Sequence, residues 1–249
     1  MTAPQPPRAP VDLRRPRDVG ALIGDAFAIY VRQFRTFFLI AVAVVVPVNL
    51  VVGGVGLGQL TADYDSTPET GETLITIAGG FLLTLPLVNA MSIYVLMDLA
   101  DGKRARAWPA IQRGLEVFAP LLIVILLYVG AIFLGLFALI VGAVVAFVVF
   151  GLCIQTAVVE GMRGPEALRR SWQLVRPNWL RVAWVTILTN VLVNVLTALV
   201  GAPFLGAADS SGSAIYQLAG QTVAGVLFAP PAALIITLLY FDQRTRTAT

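Results

Sequence analysis

The sequence predicts an all-α, polytopic membrane protein with six transmembrane helices in three hairpins, each hairpin preceded by a cytoplasmic amphipathic interfacial helix. The chain is 58% hydrophobic and 12% charged, whereas an average soluble domain has roughly 25% charged residues. Charged side chains are absent from five long blocks, namely 36–62, 73–97, 117–159, 182–208 and 210–241. The run AVAVVVPVNLVV in the first block does not alternate apolar and polar residues, as strands of a membrane β-barrel do.

Six spans follow from the lengths of these blocks. A helix needs about 20 apolar residues to cross the ~30 Å hydrocarbon core, so four of the blocks hold one span each. The third block, 117–159, would measure about 65 Å as a single helix. It must fold back, and we place its turn near 136–142, between Gly135 and Gly142. The predicted spans are about 36–57, 74–97, 120–138, 142–159, 182–204 and 216–240.

The basic residues predict which side of the membrane each connection faces. All 17 Lys and Arg side chains lie in the first 35 residues, in 103–113, in 163–181 or at 244–246. The connections on the other side, LTADYDSTPETGET and GAADSSGSA, contain acids only. The positive-inside rule therefore predicts that both termini lie in the cytoplasm. Arginine at 16 of the 17 basic positions indicates a bacterial protein, and we predict the inner membrane as its location. The predicted divisions are a disordered, proline-rich tail at 1–17, a membrane domain at 18–242 and a short cytoplasmic tail at 243–249.

The basic segment MRGPEALRRSWQLVRPNWLR, between the fourth and fifth spans, predicts a helix in the headgroup plane. Leu168, Trp172, Val175 and Trp179 repeat at helical spacing on one face, and basic side chains occupy another. Basic helices with tryptophans lie at membrane interfaces, so we predict membrane lipids, in particular anionic lipids, as partners and no nucleic acid. The candidate lipid contacts are Arg163, Arg176, Trp172 and Trp179. The alternative is a helix that only anchors the chain.

A similar interfacial helix is predicted before each of the three pairs of spans. The shared pattern is a hydrophobic residue, two variable positions, a small residue, a large apolar residue, a variable position and a second hydrophobic residue. It occurs at Ile23, Ala26, Phe27 and Ile29, at Ile111, Gly114, Leu115 and Val117, and at Leu168, Ser171, Trp172 and Leu174. We interpret the chain as three units of interfacial helix plus membrane hairpin, with generic amphipathic spacing as the alternative.

Acidic residues mark the cytoplasmic ends of the even-numbered spans. Asp98 ends the second span, Glu160 the fourth and Asp242 the sixth, and a basic residue follows each within a few positions. An ionised carboxylate at the edge of the hydrocarbon needs a partner. We predict ion pairs that tie helix ends to interfacial helices, with Arg169 and Arg170 as the candidates near Glu160. The alternative is a gate for protons or a substrate.

Residues suited to catalysis or metal binding are scarce. Histidine is absent, and the single cysteine, Cys153, lies within the fourth span. This excludes histidine-based catalysis and the commonest metal ligand, and we predict no catalytic residue, metal or cofactor. The polar residues within the spans are Asn49, Asn89, Gln155, Asn190, Asn194, Gln217 and Gln221. Together with intramembrane prolines they suit a transporter site, although such amides also join neighbouring helices.

Three stretches, DVGALIGDAFAIYVRQFRTFF, VVEGMRGPEALRRSWQLVRPNW and LLYFDQRTR, resemble the bacterial multi-pass family typified by the membrane domain of glycerophosphoryl diester phosphodiesterases. That family includes stand-alone relatives without assigned function, and in some members a soluble phosphodiesterase barrel follows. The chain stops at Thr249, so we expect that barrel to be absent, and no catalytic residue carries over. The expected function is a non-enzymatic scaffold or accessory factor in envelope or lipid handling. A small-molecule or lipid transporter is the alternative; an enzyme acting on lipid headgroups lacks the necessary residues.

Overall fold

The structure, a computed structural model, describes residues 11–13, 15–52, 78–137 and 139–248, and within these ranges it is helical without β-strands. In chain order the helices are α1 (Val19–Arg32), α2 (Phe34–Val52), α3 (Leu85–Ala100), α4 (Ala107–Glu116), α5 (Phe118–Phe137), α6 (Leu139–Val149), α7 (Cys153–Glu160), α8 (Pro165–Val175), α9 (Trp179–Ser211) and α10 (Ala214–Ala248). A π-helical turn, Gly80–Thr84, leads into α3. A 3₁₀ turn, Arg176–Asn178, joins α8 to α9.

Six helices in the described ranges are long and apolar enough to cross a membrane. They are Phe34–Val52, Gly80–Ala100, Phe118–Phe137, Val141–Glu160, the helix that ends at Ser211, and Ala214–Thr247. The prediction of an all-α chain with six apolar helices is therefore confirmed. The end of the first predicted span, the start of the second and the acidic connection between them fall in 53–77, outside the described residues.

The chain turns back between the third and fourth spans at the two glycines that bracket the predicted turn. α5 ends at Phe137 and α6 begins at Leu139. A Cβ atom on Gly135 would lie only 2.6 Å from the carbonyl oxygen of Gly142. The two helices therefore touch backbone to backbone, as small residues permit in membrane bundles.

The fourth span, predicted at 142–159, contains an irregular turn. Its helix ends at Val149 and resumes at Cys153. The Val149 carbonyl accepts a 2.7 Å hydrogen bond from Ser171 Oγ in α8, while the Cys153 N–H donates to the Phe150 carbonyl at 3.0 Å. The freed backbone carbonyl thus keeps a partner, as the interior of a membrane protein demands.

Helices α9 and α10 are longer than the predicted spans 182–204 and 216–240. They have 33 and 35 residues, or about 50 Å each at ~1.5 Å per residue. The predicted loop GAADSSGSA is mostly helix, and the chain reverses at Gly212, whose φ of 66° favours glycine. α10 also continues through the predicted cytoplasmic tail 243–249 as far as Ala248.

The predicted disordered tail at 1–17 is too long. Residues 1–10 lie outside the described part of the chain, but Val11 and Leu13 pack against the hydrophobic core. Arg17 is only 5% exposed. The cause is electrostatic: two carboxylates bind Arg17 and draw this segment onto the bundle.

The core of the bundle surrounds α10. Its side chains Leu234, Leu238 and Tyr240 are fully buried, and α1, α2, α3 and α9 all pack against it. A smaller core joins α3, α5, α7 and α8. The outer faces of α5, α6 and α9 instead expose large apolar side chains such as Phe133 and Leu199, which suits contact with lipid tails.

Candidate functional site

Three acidic residues at one end of the bundle bind arginines from other segments, and we call Asp98, Glu160, Asp242 and these arginines the collar. At Asp98, Arg113 of α4 donates to both carboxylate oxygens, with Nη1 3.3 Å from Oδ1. The guanidinium carbon of Arg113 also lies 4.9 Å from the centre of the Tyr94 ring, a cation–π contact. The end of α3 is thereby tied to the short helix that follows it.

The second collar pair ties α7 to α8 in the same way. Arg170 Nε donates to Glu160 Oε2 at 2.8 Å. The other oxygen of Glu160 accepts a 2.6 Å hydrogen bond from the Tyr240 hydroxyl of α10. Of the two arginines predicted as candidates, Arg170 therefore binds Glu160, and Tyr240 is an additional partner that was not predicted.

The third collar acid, Asp242, is completely buried and has the most partners. Its Oδ2 lies 3.0 Å from Arg246 Nε and 3.3 Å from Arg181 Nη2. Its Oδ1 accepts a 2.8 Å hydrogen bond from the backbone N–H of Arg17. Arg181 also donates to the Arg17 carbonyl. The end of α10 thus meets the start of α9 and the segment that precedes α1.

The first unit has the opposite charge at the position that the other two units use. Arg113 and Arg170 each stand directly before the small residue of the repeat, and Asp25 occupies that position in α1. Arg17 compensates for the exchange, since its Nε donates to Asp25 Oδ2 at 2.8 Å while its backbone binds Asp242. A residue directly before the small position of the repeat therefore forms an ion pair in each of α1, α4 and α8, with Arg17 as an additional arginine at α1.

The small residue of each unit faces the bundle. Ala26 and Ser171 are fully buried, and Gly114 is buried as well. A Cβ atom on Gly114 would lie 2.5 Å from Met91 Cγ. The large residue that follows points outward in two units, where Leu115 is 56% and Trp172 43% exposed. The small residue of the repeat therefore marks where each short helix packs on the bundle. Since Arg113 stands directly before this small residue, as Arg170 does, the repeat could have identified it as a partner of Asp98.

The collar carboxylates are shielded from water. The side chain of Asp98 is 14% exposed, that of Glu160 12% and that of Asp242 0%. A buried charge is costly unless it is paired and hydrogen-bonded, and each of these acids is both. Asp101 and Lys103 differ: their pair is exposed to solvent, and its hydrogen bond raises the pKa of the Lys103 ammonium.

Basic and aromatic side chains around α8 point away from the bundle. Arg163, Arg169 and Arg176 are exposed, and so are Trp172 and Trp179, by 43% and 49%. The candidate lipid contacts are thus all on the surface at the collar end. Two further exposed tryptophans, Trp108 at 68% and Trp184 at 62%, lie near the same end and were not among the predicted contacts.

A cleft of about 410 Å³ lies within the membrane part, between α2, α3, α9 and α10. Its polar lining comes from Asn49, Thr84, Asn89, Thr189, Asn190 and Gln221. The rest is aliphatic or glycine, and the described lining contains no charged side chain. The π-helical turn Gly80–Thr84 forms part of the wall, and such turns occur frequently at functional sites.

Four of the seven polar span residues named by the sequence analysis meet in this cleft. They are Asn49, Asn89, Asn190 and Gln221. Gln155 stands behind the lining and donates from Nε2 to Asn89 Oδ1 at 3.2 Å. Asn194 and Gln217, each one helical turn from a lining residue, are not part of the cleft. Spacing along one chain could not separate these two groups, because the cleft forms between four helices.

The described part of the chain contains no cluster of His, Cys, Asp or Glu that could hold a metal ion. The family described as "Domain of unknown function (DUF7847)" matches residues 107–241, slightly more than half of the chain. No curated protein and no solved structure matches the sequence. The matched region begins at α4 and ends next to Asp242, so it runs from α4 into α10.

Proposed function

The chain belongs to the DUF7847 family, and on that premise we propose a non-enzymatic integral protein of the bacterial cytoplasmic (inner) membrane. Its role is that of a scaffold or accessory factor in envelope or lipid handling. Its basic interfacial helices contact anionic lipid, and both termini lie in the cytoplasm. The proposed arrangement is three units, each a short interfacial helix followed by a membrane hairpin.

One observation carries this proposal: the arginines around α8 are divided between two tasks. Arg170 and Arg181 point inward to collar acids, whereas Arg163, Arg169 and Arg176 are exposed beside Trp172 and Trp179. Three surface arginines with two tryptophans form a typical interfacial surface. Each such arginine near anionic headgroups contributes about 1 kcal/mol at low salt.

The resemblance to the membrane domain of glycerophosphoryl diester phosphodiesterases is part of the same proposal. On this proposal the chain is similar to membrane regions that accompany lipid-related enzymes in some proteins. The chain itself offers no histidine for such chemistry. The family match supports membership of an uncharacterised family and adds no activity.

The lipid contact can be tested with the triple variant Arg163→Gln, Arg169→Gln, Arg176→Gln. The purified protein is equilibrated with mixed phosphatidylcholine and phosphatidylglycerol, and the bound lipids are quantified by native mass spectrometry. Loss of three surface contacts of about 1 kcal/mol each predicts a roughly hundredfold fall in phosphatidylglycerol enrichment. The matched control replaces the same residues by lysine, which keeps the charge and should keep the enrichment. Unchanged enrichment in the glutamine variant would mean that α8 only anchors the chain and does not select anionic lipid.

A transporter for small molecules or lipids is the second candidate, and the cleft favours it. Amide side chains from α2, α3, α9 and α10 converge on one intramembrane space, as in many transporter sites. Substrate-dependent flux in proteoliposomes that is lost in the double variant Asn89→Leu, Asn190→Leu would support this function. The absence of flux across a panel of neutral and charged solutes would count against it.

A further inference from the structure

The intramembrane cleft has features that specify one kind of occupant. We propose that it binds a single uncharged glycerolipid of the diacylglycerol class, with the hydroxyl-bearing head at the end remote from the collar and an acyl chain directed toward the collar. This inference goes beyond the proposed lipid contact of α8, because it concerns a different lipid, a different surface and the opposite end of the bundle.

The charge of the lining argues for an uncharged ligand. The described polar lining consists of amides and hydroxyls, which donate and accept hydrogen bonds without carrying charge. A phosphate or ammonium group among these residues would have no opposite charge beside it in the described lining, which is unfavourable. Hydroxyl and ester groups, by contrast, match amide partners well.

The hydrogen bonds locate the head of the ligand, because the cleft has a satisfied and an unsatisfied end. At the satisfied end, Asn89 uses both sides of its amide, donating to the Leu85 carbonyl and accepting from Gln155. Thr189 donates to the Val185 carbonyl at 2.7 Å and Asn190 to the Thr186 carbonyl at 2.9 Å. Bonds within the protein therefore serve most of the polar capacity of Asn89 and Thr189, while the side-chain carbonyl oxygen of Asn190 has no hydrogen-bond partner among the described residues.

At the other end polar capacity is left over. Within the described residues, neither the Gln221 amide nor the Thr84 hydroxyl has a hydrogen-bond partner. Asn49 donates from Nδ2 to Thr222 Oγ1 at 3.0 Å, and its carbonyl oxygen remains available. Polar groups that face hydrocarbon without partners are destabilising. A ligand with a hydroxyl and ester carbonyls supplies what these three side chains lack.

Positions along the helices place the two ends at different depths. Asn89 stands nine residues before Asp98, and Asn190 nine residues after Arg181; both therefore lie about 14 Å from the collar at ~1.5 Å per residue. Gln221 stands 21 residues before Asp242, about 31 Å from the collar. Thr84, 14 residues before Asp98, lies between these depths, about 21 Å from the collar. In a hydrocarbon core of ~30 Å, Asn89 and Asn190 are near the middle and Gln221 is near the opposite interface. A glycerol head belongs at that interface.

The shape of the cleft suits an acyl chain below such a head. Gly225, Ala229 and Ala233 follow one another at intervals of four residues on one face of α10, and all line the cleft. Valines of α2, α3 and α9 line the opposite side. The volume of about 410 Å³ lies within the ~300–1,000 Å³ of small-molecule sites. Asn190 and Gln221 are exposed as well as cleft-lining, so the cleft opens sideways and a lipid can enter from the bilayer.

The experiment uses a diacylglycerol with a diazirine in one acyl chain, added at low mole fraction to phosphatidylcholine nanodiscs that contain the full chain. After irradiation, chymotryptic fragments are mapped by tandem mass spectrometry. We expect label on the stretch 225–236 and on Val193, suppressed by unlabelled dioleoylglycerol and not by the same amount of phosphatidylglycerol. Equal suppression by phosphatidylglycerol, or label confined to outward residues such as Val195 and Leu199, would overturn the proposal.

Two variants with matched controls test the two halves of the site. Gln221→Leu should raise the half-saturating probe concentration about fivefold, since one hydrogen bond is lost, whereas Gln217→Leu, one turn away and outside the cleft, should not. Ala229→Phe should abolish labelling by filling the acyl channel. Equal binding by the Gln221 and Gln217 variants, or full labelling of Ala229→Phe, contradicts the site. The triple variant Arg163→Gln, Arg169→Gln, Arg176→Gln should label normally. Failure of the diacylglycerol site can therefore be distinguished from failure of the anionic-lipid contact around α8.

Discussion

Arg17 and Asp242 are 225 positions apart in the sequence, and the backbone N–H of Arg17 donates a 2.8 Å hydrogen bond to Asp242 Oδ1. This contact joins the segment before the first helix to the end of the last one. Because the Arg17 side chain binds Asp25 in α1, this part of the collar ties α1 to α10. The contribution of each collar contact to stability can be tested by substituting its residues one at a time.

Asp242→Asn should be the most destabilising single change in the collar. It removes the charge that Arg181 and Arg246 face in a site with no solvent exposure, and breaking a buried pair costs about 3–5 kcal/mol. The expected result is a clear fall in melting temperature in detergent. The control, Asp101→Asn, breaks a solvent-exposed pair with Lys103 and should change stability by about 0–1 kcal/mol. Equal melting temperatures for the two variants would contradict this assignment.

Glu160 and Arg170 should be coupled energetically. We expect Glu160→Gln and Arg170→Gln to destabilise the protein by more in sum than the double variant does, by about 0.5–3 kcal/mol, because each single change leaves a partly buried charge alone. Thermal unfolding of all four proteins in one detergent measures the coupling. A parallel cycle with Arg169→Gln should be additive, since Arg170 is the residue whose Nε lies 2.8 Å from Glu160. Additivity in both cycles would show that Glu160 and Arg170 are not energetically coupled.

Asp25 occupies the repeat position where α4 and α8 have arginine, so its charge can be exchanged with that of Arg17 as a test. Asp25→Arg should destabilise the protein because it places two arginines together where Arg17 now binds Asp25. Adding Arg17→Gln should recover part of the loss, since an arginine at 25 would then stand as Arg113 and Arg170 do relative to their acids. The comparison is the Asp25→Asn, Arg17→Gln variant, which removes both charges and offers no replacement pair. If it is as stable as the swapped protein, the three units are not equivalent at this position.

Two glycines of α5 should respond in opposite ways to alanine. Gly135→Ala places a methyl group 2.6 Å from the Gly142 carbonyl oxygen, and such overpacking typically costs about 1–3 kcal/mol. Gly130→Ala meets nothing within 4 Å and should leave stability unchanged or slightly higher, because alanine restricts the unfolded chain. Unfolding by sodium dodecyl sulfate titration separates the two. A stable Gly135→Ala variant would mean that the close approach is not required.

The proposed orientation can be tested with single cysteines in a Cys153→Ala background. Lys103 and Ser211 are both exposed, at the collar end and the opposite end respectively. Ser211→Cys should react with a membrane-impermeant maleimide in intact spheroplasts, and Lys103→Cys only after the membrane is permeabilised. Mass tagging on a gel reports the reaction. The reverse pattern would invert the proposed topology and place the collar outside the cytoplasm.

Much of the architecture follows from the sequence because hydrocarbon imposes local requirements. A span has to be apolar over its whole length, so uncharged blocks indicate six helices, and the length of 117–159 demands a turn. The glycine pair 135 and 142 could be found for the same reason, since only small residues allow helices to touch. The acids Asp98, Glu160 and Asp242 stood out because a charge at the edge of the apolar region is rare.

The tertiary structure alone decided which residues meet. Arg113, Arg181 and Arg17 bind collar acids from other segments, and the break after Val149 is accommodated by Ser171 from a separate helix. Likewise, Gln221 and Asn190 share a cleft while Gln217 and Asn194, one turn away on the same helices, do not. Hydropathy indicates only whether a residue is compatible with an apolar environment. Partners depend on how the helices are rotated and packed, and this is determined by side chains distant in the sequence.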